Sequence, residues 1–201
     1  MFRSNAERKV AEAGYDPARL PPGQYLTPKW PVLHVGDVPA LEPVAWDLRV
    51  FGEVEEPLRL NWEELRALPA VDVTADIHCV TRWSRFDARF RGVRFAELAR
   101  RARPTAAARF VVAHAEAGYT ANLPLSALDE PGSLVAYEAD GEPLAPEHGG
   151  PVRLIVPSRY FWKSAKWLRA LELRADDEPG TWERYGYSND ADPWREERYA
   201  L

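Results

Sequence analysis

Hydrophobic and polar positions alternate at period two in several short runs of this chain, and few stretches sustain a helical period. Ala45-Trp46-Asp47-Leu48-Arg49-Val50-Phe51-Gly52 alternates and predicts a half-buried strand. Val71 to Asp76, Phe110 to His114, Leu134 to Glu138 and Val152 to Val156 are further strand candidates, and Arg169 to Arg174 alternates again. Asp140-Gly141 after the Leu134 run supplies the residue pair of a tight hairpin turn. Asn61 before Trp62-Glu63-Glu64-Leu65-Arg66-Ala67-Leu68 predicts a short helix: Asn caps it, acids occupy its first turn, and Pro69 ends it. Phe95 to Ala102 reads as helix from its leucine and alanine content, and Tyr160 to Leu168 is expected to make one or two helical turns. Short strands mixed with short helices imply an α+β fold built on mixed β-sheets.

Proline punctuation divides the chain. Residues 1–43 hold Pro21-Pro22-Gly23 and Pro28-Lys29-Trp30-Pro31 and are expected to pack irregularly on a core spanning 44–175. Residues 176–201 carry Trp182, Tyr185, Tyr187, Trp194 and Tyr199 among charges, and are expected to wrap the core through those rings. At 201 residues with 46% hydrophobic and 28% charged positions, the chain has the composition of a globular protein with a sizeable core.

A net charge of −5 gives no reason to expect nucleic acid as a partner. Nine arginines nonetheless fall within residues 79–110 against Asp87 and Glu97, reading either as a solvated face or as a field that attracts an anion. No run approaches the ~18 apolar residues of a membrane span. Met1-Phe2-Arg3-Ser4-Asn5-Ala6-Glu7-Arg8-Lys9 lacks the apolar stretch of a secretory signal, so the expected location is the cytoplasm.

Cys79 is the only cysteine. It packs as a small hydrophobe, acts as a nucleophile, or gives one sulfur to a metal whose other ligands come from elsewhere. The adjacent His78 is a poor general base for it, because neighbouring side chains in extended backbone point to opposite faces. With no Cys-x-x-Cys and no His-x-x-x-His, a metal would bring most of its ligands in a cofactor. Glu147-His148-Gly149-Gly150-Pro151-Val152-Arg153 places a glycine pair between an imidazole and a guanidinium, suited to close backbone approach and phosphate binding. Trp162-Lys163-Ser164-Ala165-Lys166-Trp167 holds two of only four lysines. On a helix, positions 163 and 166 share a face and form a phosphate cradle; the alternative is two exposed solubilising charges.

These three ordered motifs resemble those of the molybdopterin-binding domain of the sulfite oxidase family, and of a short stand-alone bacterial branch in particular. The resemblance runs from about Val44 to Leu173, and the Trp-Glu-Arg…Asp-Pro-Trp tail shares it. It implies a molybdopterin cofactor carrying molybdenum, with tungsten acceptable to the same soft donors, and no haem. Cys79 matches the cysteine whose thiolate binds the metal. His148 and Arg153 match positions that contact pterin and phosphate, and Ser164, Ala165 and Lys166 match the segment holding the phosphate end, with Lys163 beside it. His34 resembles a pterin-contacting histidine of the amino-terminal loop, and Tyr119 a tyrosine on the substrate face of the metal.

Two departures bear on the reaction. Ser84 stands where sulfite oxidases place an oxyanion-gripping arginine, with Arg82 and Arg85 flanking it as substitutes. The haem and immunoglobulin-like domains of the animal and plant enzymes have no counterpart here, so electrons are expected from or for a separate partner. The expected activity is oxygen-atom transfer to or from a small S- or N-oxide or an anionic substrate, with reduction favoured over sulfite oxidation. A molybdopterin carrier that does not turn over, and a cofactor-free interaction protein, are the competing readings.

Overall fold

The computed structural model of the protein describes residues 4–200. Met1-Phe2-Arg3 of the segment read for a signal, and Leu201 of the aromatic tail, lie outside the described residues. Eleven strands build two mixed sheets among these residues: β1 (Tyr25–Leu26), β2 (Asp47–Gly52), β3 (Leu58–Asn61), β4 (Ala70–His78), β5 (Trp83–Val93), β6 (Phe110–Ala115), β7 (Thr120–Pro124), β8 (Leu134–Ala139), β9 (Glu142–Pro143), β10 (Arg153–Ile155) and β11 (Leu168–Arg174). One sheet runs β1-β5-β8-β10, with β4 on β5 and β9 on β8; the other runs β3-β2-β11-β6-β7. The parallel pairs are β1 with β5 and β2 with β11, and the remaining ladders are antiparallel.

The helices are short: α1 (Asn5–Glu12), α2 (Trp62–Arg66), α3 (Phe95–Ala102) and α4 (Thr181–Arg184). Asn61 caps α2 as its sequence position predicts, and Glu64 returns the favour by accepting from the Asn61 N–H. Helix α1 was not legible among the prolines, although Ser4 and Glu7 form the same reciprocal cap. The main core lies between the sheets. Leu48, Val50, Val111, Leu123 and Leu171 meet Val93, Val135, Tyr137 and Leu154 there, with Leu65 and Leu98 of α2 and α3 closing the edges. A second cluster on the other face of the first sheet gathers Val73, Ile77, Trp83, Phe90, Ile155 and Phe161 around Cys79.

The arginine-rich run contains the longest strand, β5. Phe86, Ala88 and Phe90 point inward while Asp87 and Arg89 point out. Its charges are largely neutralised locally, Arg85 by Asp140 and Arg91 by Asp72, with Arg100 and Arg101 of α3 both on Glu97. It is therefore mostly a paired surface and not an open anion field.

Tyr160 to Leu168 corrects the helical expectation. Only a 3-10 turn, Phe161–Lys163, forms, and the chain then extends into β11. Helix fails here because the backbone is claimed elsewhere: the Ala165 carbonyl accepts from the Leu154 N–H, and the Leu168 N–H donates to Val152. Lys163 and Lys166 consequently diverge. Lys163 is fully buried and ion-pairs with Glu183 of α4 at 2.7 Å, while its Nζ also donates to the Asn122 carbonyl and side-chain oxygens. Trp162 Nε1 donates to the same Glu183 oxygen, and Asn122 reaches on to Asp177 and Asn189. A buried polar network thus fastens the tail, while Tyr185, Trp194 and Tyr199 stay exposed.

Leaving Lys163 charged and without its carboxylate in this interior is costly. Glu183→Gln is expected to lower unfolding stability by about 3–5 kcal/mol. Arg184→Gln, which removes an exposed pair with Glu178, should change it by about 1 kcal/mol or less. Urea-unfolding midpoints of the two variants check the contrast.

Candidate active site

A cavity of about 450 Å³ opens between the second cluster, the amino-terminal segment and the tail. Cys79, Tyr119, His34, Arg153, Ser164, Ala165 and Lys166 all line it, so the fold gathers seven of the eleven residues singled out in the sequence. Aromatic rings make most of the remaining wall: Trp30, Trp83, Phe161, Trp162, Trp182 and Tyr187.

Cys79 follows the end of β4, and its thiol accepts a hydrogen bond from Thr81 Oγ1 at 3.2 Å. It is 8% exposed, and burial pushes its pKa up. His78 and Cys79 do diverge, as extended backbone requires: His78 Nδ1 meets Ser84 Oγ at 2.8 Å, away from the cavity. That contact occupies Ser84, which is wholly buried.

The same cavity is lined by two cations with no carboxylate within ion-pair distance among the described residues. Arg153 is 1% exposed; it donates to the carbonyls of His148, Ser164 and Leu154 and lies 4.3 Å from the Phe161 ring centre. Burial draws its pKa down toward about 9, still leaving it charged at neutral pH. Lys166 Nζ donates to the Leu33 and Glu147 carbonyls, and burial together with the neighbouring Arg153 draws it to about 8. Desolvated cations satisfied only by carbonyl dipoles suit a bound anion that supplies the missing negative charge. A phosphate of a cofactor meets that need, and a soft thiolate lining the same cavity meets the need of a thiophilic metal. The donor set fits a metal-bearing, phosphorylated cofactor.

Ser164 and Ala165 line the cavity next to these cations, the Ser164 hydroxyl accepting from the Val156 N–H. His34 is exposed at the mouth, its Nδ1 on the Gly36 carbonyl and its ring edge-on to Trp167. The Tyr119 hydroxyl donates to the Trp162 carbonyl at 2.6 Å, and burial pushes its pKa up.

Four residues stand elsewhere. Arg82 is exposed on the Cys79 turn and outside the cavity. Arg85, held by Asp140, and His148 line a second cavity of about 390 Å³. The Trp30 ring, stacked on His148 at 4.1 Å, lines both cavities. Lys163 lies behind the wall in the network with Glu183. The glycine pair acts inwardly: Gly149 takes φ 104° and passes so close to Lys166 that a Cβ would collide with it. It seats the lysine and leaves no open backbone for a ligand.

Sequence reasoning missed the ring wall and Thr81. The rings gave a signal, since Trp30 sits amid prolines that forbid burial in regular structure, and Trp83 follows Cys79 by four.

Comparison with known proteins gives a consistent picture. Residues 35–182 match the oxidoreductase molybdopterin binding domain. YuiH of Bacillus subtilis strain 168, named an uncharacterized oxidoreductase, is 47% identical over 182 residues, covering 90% of this chain and 92% of its own. The catalytic subunit of the protein-methionine-sulfoxide reductase MsrP from Campylobacter jejuni is 28% identical over 160 residues, 71% of this chain and 54% of that subunit. This chain therefore spans about half the length of the second relative. The sulfane dehydrogenase SoxCD of Paracoccus pantotrophus shares the fold with a TM-score of 0.65 at 22% identity, over 74% of this chain and 42% of that one.

An amine whose pKa falls on folding binds fewer protons folded than unfolded, so stability rises with pH between the two values. For Lys166 that window runs from about 8 to 10.5. Cofactor-free protein is expected to gain stability relative to Lys166→Met as pH rises through it, measured by denaturant unfolding at each pH.

Proposed function

Because the chain belongs to the oxidoreductase molybdopterin-binding family, we propose that it reduces a small S- or N-oxide, an organic sulfoxide foremost, with Cys79 as the protein ligand to molybdenum. The observation that carries this reading is that a lone thiol and two cations without carboxylate partners line one cavity. Bound there, molybdenum held by molybdopterin supplies two-electron oxygen-atom transfer. The substrate oxide loses one oxygen, and two electrons with two protons carry that oxygen off as water. The electrons come from a separate partner protein or small carrier.

The chain's own residues have distinct tasks. Arg153 and Lys166 neutralise the phosphate end, with Ser164 and Ala165 beside them shaping the wall, and His34 stands at the mouth where the pterin would enter. Burial keeps the Cys79 thiol protonated until a soft metal displaces the proton. Tyr119 lies on the substrate side, its proton committed to the Trp162 carbonyl, so its ring shapes the pocket and its oxygen remains an acceptor. The rings of Trp30, Trp162 and Trp182 exclude water and favour a substrate with an apolar body.

Reduction of a neutral oxide is supported over oxidation of sulfite by the arginines. Arg82 is outside the cavity and Arg85 is spent on Asp140, so the walls hold no cation beyond the two that the cofactor engages. The likeness to a methionine-sulfoxide reductase subunit supports the same direction. No helix among the described residues is long and apolar enough to cross a membrane. We assign the protein to the cytoplasm, where a single thiol stays reduced.

Elemental analysis with mass spectrometry of the released cofactor should find molybdenum and a phosphorylated pterin, tungsten being the alternative metal that this measurement separates. Dye-linked assays should show turnover of dimethyl or methionine sulfoxide at least tenfold faster than of sulfite. Cys79→Ser should change the metal spectrum and abolish turnover. Equal metal spectra in both proteins would remove the ligand assignment, and retained cofactor without turnover of any oxide would favour a carrier.

A further inference from the structure

After β4 the chain reverses at once. The Arg82 N–H donates to the Cys79 carbonyl at 2.9 Å, Arg82 takes φ 77°, and the Cys79 N–H donates to Trp83 at 2.9 Å as β5 begins. This tight turn folds the Thr81 side chain back onto the residue two before it, which is how its hydroxyl comes to lie 3.2 Å from the Cys79 sulfur. Thr81 is the only side-chain donor to that sulfur among the described residues; the N–H groups of Val80 and Thr81 face it as well.

Two distant, buried side chains brace the turn. Gln24 Nε2 donates to the Cys79 carbonyl at 3.0 Å, and Arg198 Nη1 donates to the Val80 carbonyl at 2.7 Å. The Arg198 guanidinium is itself seated 4.9 Å from the Tyr160 ring centre. With both carbonyls engaged, the backbone that presents the Thr81 hydroxyl to the sulfur is held in place.

A hydrogen bond to a ligand sulfur withdraws electron density from the metal–sulfur bond and stabilises the more reduced state, raising the reduction potential. On the reading of Cys79 as metal ligand, we propose that Thr81 tunes the metal by donating its hydroxyl proton to the Cys79 sulfur. Thr81 is a positioning and tuning residue here: it acts on the reacting centre only through the sulfur.

The test is a redox titration of the holoenzyme followed by the electron paramagnetic resonance of the metal, on wild type, Thr81→Val and Thr81→Ser, with metal content measured alongside. Valine keeps the shape and both backbone donors and removes only the hydroxyl. Thr81→Val is expected to lower the potential by about tenfold in the one-electron equilibrium, which is about 59 mV. Thr81→Ser should stay near wild type, and metal content should be equal in all three. An unshifted potential in Thr81→Val, with Cys79→Ser still altering the metal spectrum, would overturn this inference and leave the ligand reading intact. An unaltered spectrum in Cys79→Ser would overturn both. Loss of metal from Thr81→Val would also count against it, because it would make Thr81 an anchor of the cofactor.

Discussion

Everything around the cavity is arranged about a guanidinium that has left water without meeting an acid. Arg153 exchanges solvation for three backbone carbonyls, one from its own strand, one from the His148 turn and one from Ser164. Each of those carbonyls belongs to a different piece of chain, so the buried cation holds β10, the glycine turn and the segment entering β11 in one arrangement. Aromatic faces of Phe161 and Trp30 cover what remains. A charge satisfied this way is stable enough to fold yet still electrostatically incomplete, the condition in which an anionic ligand binds strongly.

Other parts of the wall come from outside the two sheets. Trp30 reaches in from the amino-terminal segment, and Trp182 and Tyr187 from the tail. The two ends are fastened differently. The amino-terminal segment is held by an ion-pair cluster of Arg19 with Asp76 and Asp87 and by Lys166 on the Leu33 carbonyl. The tail depends on the buried Lys163–Glu183 pair and the Asn122 network. Family membership and fold agree on a molybdopterin-binding oxidoreductase, and the two terminal segments complete the walls of its cavity.

Much of this was legible in the residues. Period-two alternation marked β2 and β11, short apolar runs marked β6 and β8, and the Asn61 cap marked α2, because those signals are local. Strand β5 was obscured, since its outward positions are arginines and its pattern looked like charge density before it looked like alternation. The 163–166 segment was misjudged for a different reason: a Lys-Ser-Ala-Lys spacing is helical by propensity, but ladder bonds to Val152 and Leu154 override it. Of the four arginine, histidine and lysine positions that stand outside the main cavity, none carries a local mark saying so. Their placement is decided by long-range partners: Asp140 for Arg85, Trp30 for His148, Glu183 for Lys163. The Thr81 contact hid in plain view, two residues from the cysteine, because only the turn at Arg82 brings the hydroxyl back.

The brace on the cysteine turn has a bearing on how the molecule comes into being. Gln24 lies 55 positions before the residue it grips, and Arg198 lies 118 positions after Val80. Contacts of that separation form late, since the closure of a long loop precedes its reward. While the ribosome is still delivering the chain up to Arg198, the turn therefore lacks the second of its two braces. On the proposed reading of Cys79 as metal ligand, insertion of the metal then belongs after chain closure.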